Sequence, residues 1–410
     1  MQPTRQVIRS DRAFDGVRPL PGGLTVFVED GRITGTEPGR APAPEGWQVR
    51  DFPGATLLPG LVDMHCHLGA DSHDGALERM ATDEAARLEE VIDDSLGRQL
   101  AAGVTTVRDL GDRDWTVVRR RDRARSTGTA GPPSPTIVAA GPPITTPDGH
   151  CAFMGGAARG ERELRAAVRE RAERGVDVVK VMGSGGVHTP GTDVACCQFT
   201  LDELRVVVDA AHAAGLPVTV HAHALAAVEQ ALDAGADGIE HCTCLTAEGV
   251  VITDGLVERL VRQGVRVCPT LGTTPQAVPP PNVRAVMERF GFGLGQRQQH
   301  AARMHRAGVR LVSGADSGIN SGKPHGVLPA AVAQLAEGGV PADAALATAT
   351  SLAADACGLA DRKGRVRRGF DADLLLVGGD PFTDLAALSR PVAVLAAGLW
   401  TSTDPRSAPE

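Results

Sequence analysis

Through the middle of the chain, short apolar runs alternate with Ala- and Arg-rich stretches of helical period. The runs are TLLPGLVDMH, GVTTVRDLG, TIVAAG, VDVVKVMG, LPVTVHAH, ADGIEH, VRVCPT and VRLVSGAD, and most follow an AG, RG or QG step. A helix stopped by glycine and followed by a short buried strand is the mark of a βα unit. Eight such strands predict an α/β chain built as a (β/α)8 TIM barrel over residues 56–358. A doubly wound open sheet competes less well, because no GxGxxG follows any of the strands.

Both chain ends carry β patterning instead. Near the start, LTVFVEDGRITG reads as two strands joined at a DG turn. After the helical PADAALATATSLAADACG, the segments GRVRRGFDADLLLVGGDP and PVAVLAAGLW return to strand character. Residues 1–55 and 359–410 are therefore expected to form one small composite β-sandwich, with a disordered tail at SAPE. The prolines at 279–281 are expected in a loop or lid after the seventh strand.

Composition adds limits. Apolar residues make up 42% and charged residues 22% of the chain, the balance of a globular protein. No apolar run reaches the roughly 18 to 20 residues of a membrane span, so no membrane partner is expected. The first residues lack the apolar core of a secretory signal, which makes a cytoplasmic location the default expectation. A formal charge of -8 gives no reason to expect nucleic acid, and RRRDRAR at 119–125 reads as a solvated helix face. Eight cysteines with no zinc-ribbon CxxC pair predict reduced packing thiols. Only three lysines are present and no tyrosine, so a lysine in an apolar run stands out.

Candidate chemistry lies where barrel strands end, since those ends build the active site of such a fold. In LLPGLVDMHCHLG, His65 and His67 are two apart on a strand and point the same way, with Cys66 turned into the packing. Two imidazoles side by side suit a divalent metal. The fourth strand carries Lys180, the fifth ends in His221 and His223, the sixth in Glu240 and His241, and the eighth in Asp316. Taken singly, each has an ordinary structural role open to it: a satisfied histidine, a helix cap, a snorkelling lysine. Together they deliver metal-compatible groups from five strands to one rim. A lysine among Val and Met is costly unless paired or neutral, and a neutral one can take up carbon dioxide as a carbamate.

These segments, with DVVKVMGSGG, HAHALAAVEQALDAGADGIEH, VSGADSG and the closing GRVRRGFDADLLLVGGDP, resemble the amidohydrolase superfamily. Within it they are similar to the imidazolonepropionase-like and prolidase-like metal-dependent hydrolases. The resemblance implies a binuclear centre, usually of zinc. His65, His67 and Asp316 would hold one ion, His221 and His241 the other, and carboxylated Lys180 would bridge them. It further implies hydrolysis of an amide or peptide C–N bond by a metal-bridged hydroxide, with Asp316 moving the proton and His223 or His150 polarising the carbonyl. His150 corresponds to a substrate-contacting histidine of dipeptidase-like members, in the stretch PDGHCAFMGG. His188 and His325 are expected on rim loops.

Where several peptidase-like relatives carry a tyrosine, this chain reads CCQFT with Phe199, which predicts a more apolar pocket. The expected partner is a small-molecule or peptide substrate, with a homo-oligomer admitted. Other reactions stay open: a lactonase or phosphotriesterase, an imidazolone-type cyclic amide hydrolase, or a maturation peptidase removing the follower of a bottromycin-type ribosomal peptide. A catalytically silent scaffold is the non-enzyme alternative.

Overall fold

The structure, a computed structural model, describes residues 5–127 and 131–401. The expected tail at SAPE lies outside the described residues. Strands and helices alternate through most of the chain in an α/β fold with three sheets. In one three-stranded sheet, Leu61–Cys66, Val104–Asp109 and Thr136–Ala139 run parallel. In a second, Val179–Met182, Val218–Ala224, Gly238–Thr246, Arg266–Cys268 and Arg310–Leu311 follow one another in parallel. All eight predicted apolar runs contribute strands.

Backbone hydrogen bonds join these two sheets along both edges. Ile144 N donates to Lys180 O at 2.8 Å and Met182 N to Ile144 O at 2.8 Å. At the other edge Met64 N donates to Ser313 O at 3.1 Å, His67 N to Ser317 O at 2.9 Å and Asp316 N to His65 O at 2.7 Å. Helices carry their apolar faces inward against the strands. The Leu201–Ala213 helix shows why: Thr200 and Glu203 form a capping box, and Phe199 and Leu204 on either side of it both enter the main core.

The third sheet draws strands from both chain ends, in the order Leu399–Trp400, Pro391–Ala396, Leu374–Gly378, Gln48–Pro59, Arg5–Phe14, Leu24–Glu29, Arg32–Pro38. It has its own apolar core, including Ile8, Val26, Phe52, Leu57, Leu374 and Leu395.

Three sequence expectations change. TLLPGLVDMH is not one strand: Thr56–Pro59 pairs with Leu374–Val377 in the end sheet, and only Leu61–Cys66 pairs with Val104 onward. The break falls at Gly60, where a Cβ would lie 2.1 Å from Thr105 Oγ1, so the chain can pass there only without a side chain. The basic run at 119–125 is not wholly solvated, because Arg121 is buried and bonded to Asp177 at 2.6 Å. The prolines at 279–281 do not all lie in a loop: Pro281 opens the helix Pro281–Phe290. Among the described residues no helix is long and apolar enough to cross a membrane. All eight cysteines are free thiols.

Candidate metal centre

Eight predicted site residues line one cavity of about 260 Å³: His65, His67, His150, Lys180, His221, His223, His241 and Asp316. All but His150 lie within the parallel strands or in the few residues that follow them. Asp316 Oδ1 lies 3.4 Å from His65 Nε2 and 3.2 Å from His67 Nε2. The ring of His241 is 5.3 Å from that of His65, 4.6 Å from His221 and 4.4 Å from His223, on which it stacks. Ligand atoms of His65, His241 and Asp316 lie within 4.8 Å of one another, as do those of His221, His223 and His241. His223, expected to act on the carbonyl, thus also sits within ligating distance of the second set.

Each imidazole is held from behind. His65 Nδ1 donates to Glu240 Oε2 at 2.8 Å, which leaves Nε2 as the free ligand atom. Glu240 Oε1 accepts from Arg108 Nη2 and Thr219 Oγ1, each at 2.6 Å, so both its oxygens are occupied. Glu240 also stands near Cys268, but that occupancy makes it a holder of His65 rather than a ligand. His241 Nδ1 lies 2.8 Å from Thr270 Oγ1, His223 Nδ1 2.9 Å from Thr243 Oγ1, and His150 Nδ1 2.8 Å from Thr189 Oγ1. Asp63, fully buried, accepts from the backbone of His65 and Ala315 and from Gln99 and Ser317, clasping the first and last strands together.

The backbone is strained at the same places. Asp316 has φ 57°, His241 φ 67° and Thr270 φ 46°, a left-handed region that costs non-glycine residues of order 1 kcal/mol or more. Such outliers persist where surrounding bonds over-determine them, which is a property of functional sites. Packing is equally close: a Cβ on Gly186 would fall 2.3 Å from the His150 ring.

Electrostatics follow from burial. Desolvation lowers His65 to about 4, and His150 and His223 to about 3. The same cause pushes His221 and His241 well below the usual imidazole range. Burial opposes ionisation of Asp316, yet His65 and His67 hold it well below the ordinary carboxylate range. Lys180 is lowered by burial, and its Nζ is buried with no hydrogen-bond partner among the described residues. Lowered imidazoles, an ionised carboxylate and an amine shifted toward its neutral form suit a cation site; His67 departs from the others, since burial lowers it but its hydrogen bond and charge contact with Asp316 raise it on balance. An orphaned buried amine is otherwise a net cost of about 1–3 kcal/mol. The residues present therefore fit a divalent centre.

Two further expectations are revised. Phe199 does not line the cavity; as the residue before the Thr200 cap it packs into the core. His325 is buried away from the cavity, its Nε2 bonded to Ala70 O at 2.9 Å, whereas His188 does line the cavity. The apolar wall comes instead from Leu77, Met154, Met182 and Ile319 inside, and from Val278, Pro279, Pro280, Val283, Val286, Met287, Phe292 and Leu294 outside. Two cations that no sequence pattern marked, Arg297 and Lys323, also line it. Burial and the adjacent Arg297 bring Lys323 down to about 8. Lysine scarcity was the available signal for Lys323, but it lies in a polar loop, and Arg297 is one arginine among many.

An α/β enzyme whose strand ends gather imidazoles and a carboxylate around one buried amine is what the fold and cavity define. Residues 56–400 match the family described as the amidohydrolase family, and the chain belongs to it. An uncharacterized protein of Mycobacterium tuberculosis is 31% identical over 395 residues, spanning 93% of this chain and 92% of the relative. The ochratoxinase of Aspergillus niger is 26% identical over 386 residues, 82% of this chain and 73% of its own. A crystal structure of a Xaa-Pro dipeptidase with methionine bound in the active site superposes with TM-score 0.84 at 26% identity, covering 97% of this chain and 99% of that one.

Proposed function

We propose that this chain is a binuclear metal-dependent hydrolase of amide or peptide C–N bonds, carried on a (β/α)8 barrel over 56–358 with a small β-sandwich from 1–55 and 359–410. The barrel is supported by eight parallel strands whose two sheets are bonded along both edges. The sandwich is supported by the sheet that pairs both chain ends.

The observation that carries the function is Lys180: an amine with no hydrogen-bond partner among the described residues, buried in the same cavity as six histidines and Asp316 that can ligate metal or bind substrate. His65, His67 and Asp316 would hold one ion and His221 and His241 the other, with Lys180, as its carbamate, between them. Divalent ions, zinc by this donor set, supply Lewis acidity that lowers the pKa of water and polarises a carbonyl. The chain's own groups do the rest. Asp316 contacts both histidines through Oδ1, which leaves Oδ2 to take the proton of the attacking water and hand it to the leaving nitrogen. His150, fixed through Nδ1 by Thr189, presents Nε2 to the scissile carbonyl, and His223, fixed by Thr243, stands beside it. The apolar walls restrict water and strengthen these interactions.

Similarity to an ochratoxinase and to a Xaa-Pro dipeptidase favours amide cleavage over lactone or phosphotriester cleavage. The test combines elemental analysis with turnover: about two zinc equivalents per chain and hydrolysis of N-acyl amino acids or dipeptides are expected. A protein that binds no metal, or turns over phosphotriesters and no amide, refutes the reading.

A further inference from the structure

Three imidazoles of the cavity make a set of their own. Ligand atoms of His221, His223 and His241 lie within 4.8 Å of one another, and His241 is common to this set and to the one with His65 and Asp316. Ring centroids stand 4.7 Å apart for His221 and His223, 4.6 Å for His221 and His241 and 4.4 Å for His223 and His241. One nitrogen of each ring is tied down. His221 Nε2 donates to Gly185 O at 3.1 Å, which leaves the lone pair on Nδ1. His223 Nδ1 is held by Thr243 Oγ1 at 2.9 Å and His241 Nδ1 by Thr270 Oγ1 at 2.8 Å, so in both rings the nitrogen left over is Nε2.

The backbone is shaped around His223 in particular. Its N–H donates to Ser184 Oγ at 3.0 Å. The parallel ladder between Val218–Ala224 and Gly238–Thr246 pairs Ala222 with His241 and then Ala224 with Leu245, so that Cys242, Thr243 and Cys244 bulge out of register. His241, Cys242 and Cys244 take φ of 67°, 48° and 59° in that bulge. Bulges re-aim side chains, and left-handed non-glycine residues in near succession are strained, so this one needs a reason. Its effect is to turn Thr243 back onto the His223 ring, which is how a metal-ligating imidazole is oriented from behind.

Lys180 Nζ has no hydrogen-bond partner among the described residues, and a carbamate forms on such an amine only while carbon dioxide is present. Without it, His221 and His241 alone would leave the second ion with two ligands. Three imidazoles are enough for zinc, whose catalytic sites take three protein ligands and keep the fourth position open.

We propose that His223 is the third ligand of the second ion, so that His221, His223 and His241 form a trihistidine site that fills without a carbamate on Lys180 and the substrate carbonyl is left to His150. This rests on the reading of the cavity as the metal centre of a hydrolase, and its test separates the two.

Metal-free protein is loaded with cobalt(II) in buffer stripped of carbon dioxide, so that Lys180 stays an amine. Binding is followed by the visible absorption of four-coordinate cobalt and by competition with a chromophoric chelator. His67→Gln, which removes a ligand of the first ion only, should still bind about one cobalt per chain with that absorption. Adding His223→Gln should abolish the absorption and weaken binding at least about a hundredfold, since loss of a ligand exceeds the 10–100-fold cost of losing a residue that orients one. X-ray absorption of the zinc form of His67→Gln should count three imidazoles on the retained ion. Circular dichroism checks folding, and Asp316→Asn replaces His67→Gln if the latter does not fold. Binding that His223→Gln leaves within about twofold, or an ion held by two imidazoles, overturns the trihistidine site. Dipeptide hydrolysis by the wild type in bicarbonate buffer is read alongside. Cobalt binding that needs His223, without hydrolysis, keeps the site and refutes the hydrolase reading; hydrolysis with binding indifferent to His223 overturns the site and leaves the hydrolase reading intact.

Discussion

The floor and the outer wall of the cavity are built on opposite plans. On the floor, nearly every polar side chain has a second partner behind it: Glu240 behind His65, Thr270 behind His241, Thr243 behind His223, Asp63 behind the two strands that carry His65 and Asp316. The outer wall leans on the helix Pro281–Phe290, of which Phe290 alone is buried. It is tied to the loop after the fourth strand by Asn282 Nδ2 donating to Val187 O at 3.1 Å and by an exposed Arg289–Asp193 pair at 3.2 Å. Such surface ties contribute little, and a segment with few buried contacts opens at low cost. On the proposed reading, chemistry falls to the over-determined part of the molecule and substrate choice to the part that is free to vary.

The largest test of that division is Lys180. Replacing it by Met should lower zinc content and cut amide turnover by at least about a hundredfold, since loss of a ligand should exceed the 10–100-fold cost of losing a residue that orients one. Short carboxylic acids added to Lys180→Ala should restore part of the turnover. The same Lys180→Met change should stabilise the metal-free protein by about 1–3 kcal/mol in denaturant titration, because it removes an orphaned amine. Unchanged zinc occupancy would break the comparison at its centre.

Glu240→Gln is the intermediate case. It keeps the shape of the floor and removes the charge behind His65, so zinc affinity measured against a chromophoric chelator should fall about 10–100-fold with the fold retained. An unaltered affinity would mean that the imidazole needs no carboxylate to orient it. The smallest effect is expected on the wall. Val283→Asp should raise KM for apolar substrates about tenfold, corresponding to roughly 1.5 kcal/mol of lost apolar contact, with kcat and zinc content nearly unchanged. A fall in kcat comparable to the rise in KM would show that the wall also serves the chemistry.

The same division explains what could be read from the sequence. Floor residues sit at the ends of strands with fixed two-residue periodicity, after glycine-stopped helices, so their rim position follows from pattern alone. Lys180 was visible because an apolar run makes an amine conspicuous. Wall residues lie on a loop and a nearly exposed helix where no period links side chain to cavity. Phe199 shows the hazard: an aromatic beside candidate site residues looks like pocket lining, but a residue preceding a helix cap is drawn inward to staple the first turn. Arg297 and Lys323 escaped because what joins them is that both reach the carbonyl of Thr270, a coincidence that distance along the chain conceals.

The clasp at Asp63 also has a bearing on how the protein is made. Its partner Ala315 lies 252 residues further along the chain, and Ser317 254. A ribosome must therefore deliver almost the whole strand series before His65 and His67 can meet Asp316. The grouping of His221, His223 and His241 needs only two neighbouring strands, whereas the grouping of His65, His241 and Asp316 arises only after the chain has been made past Asp316.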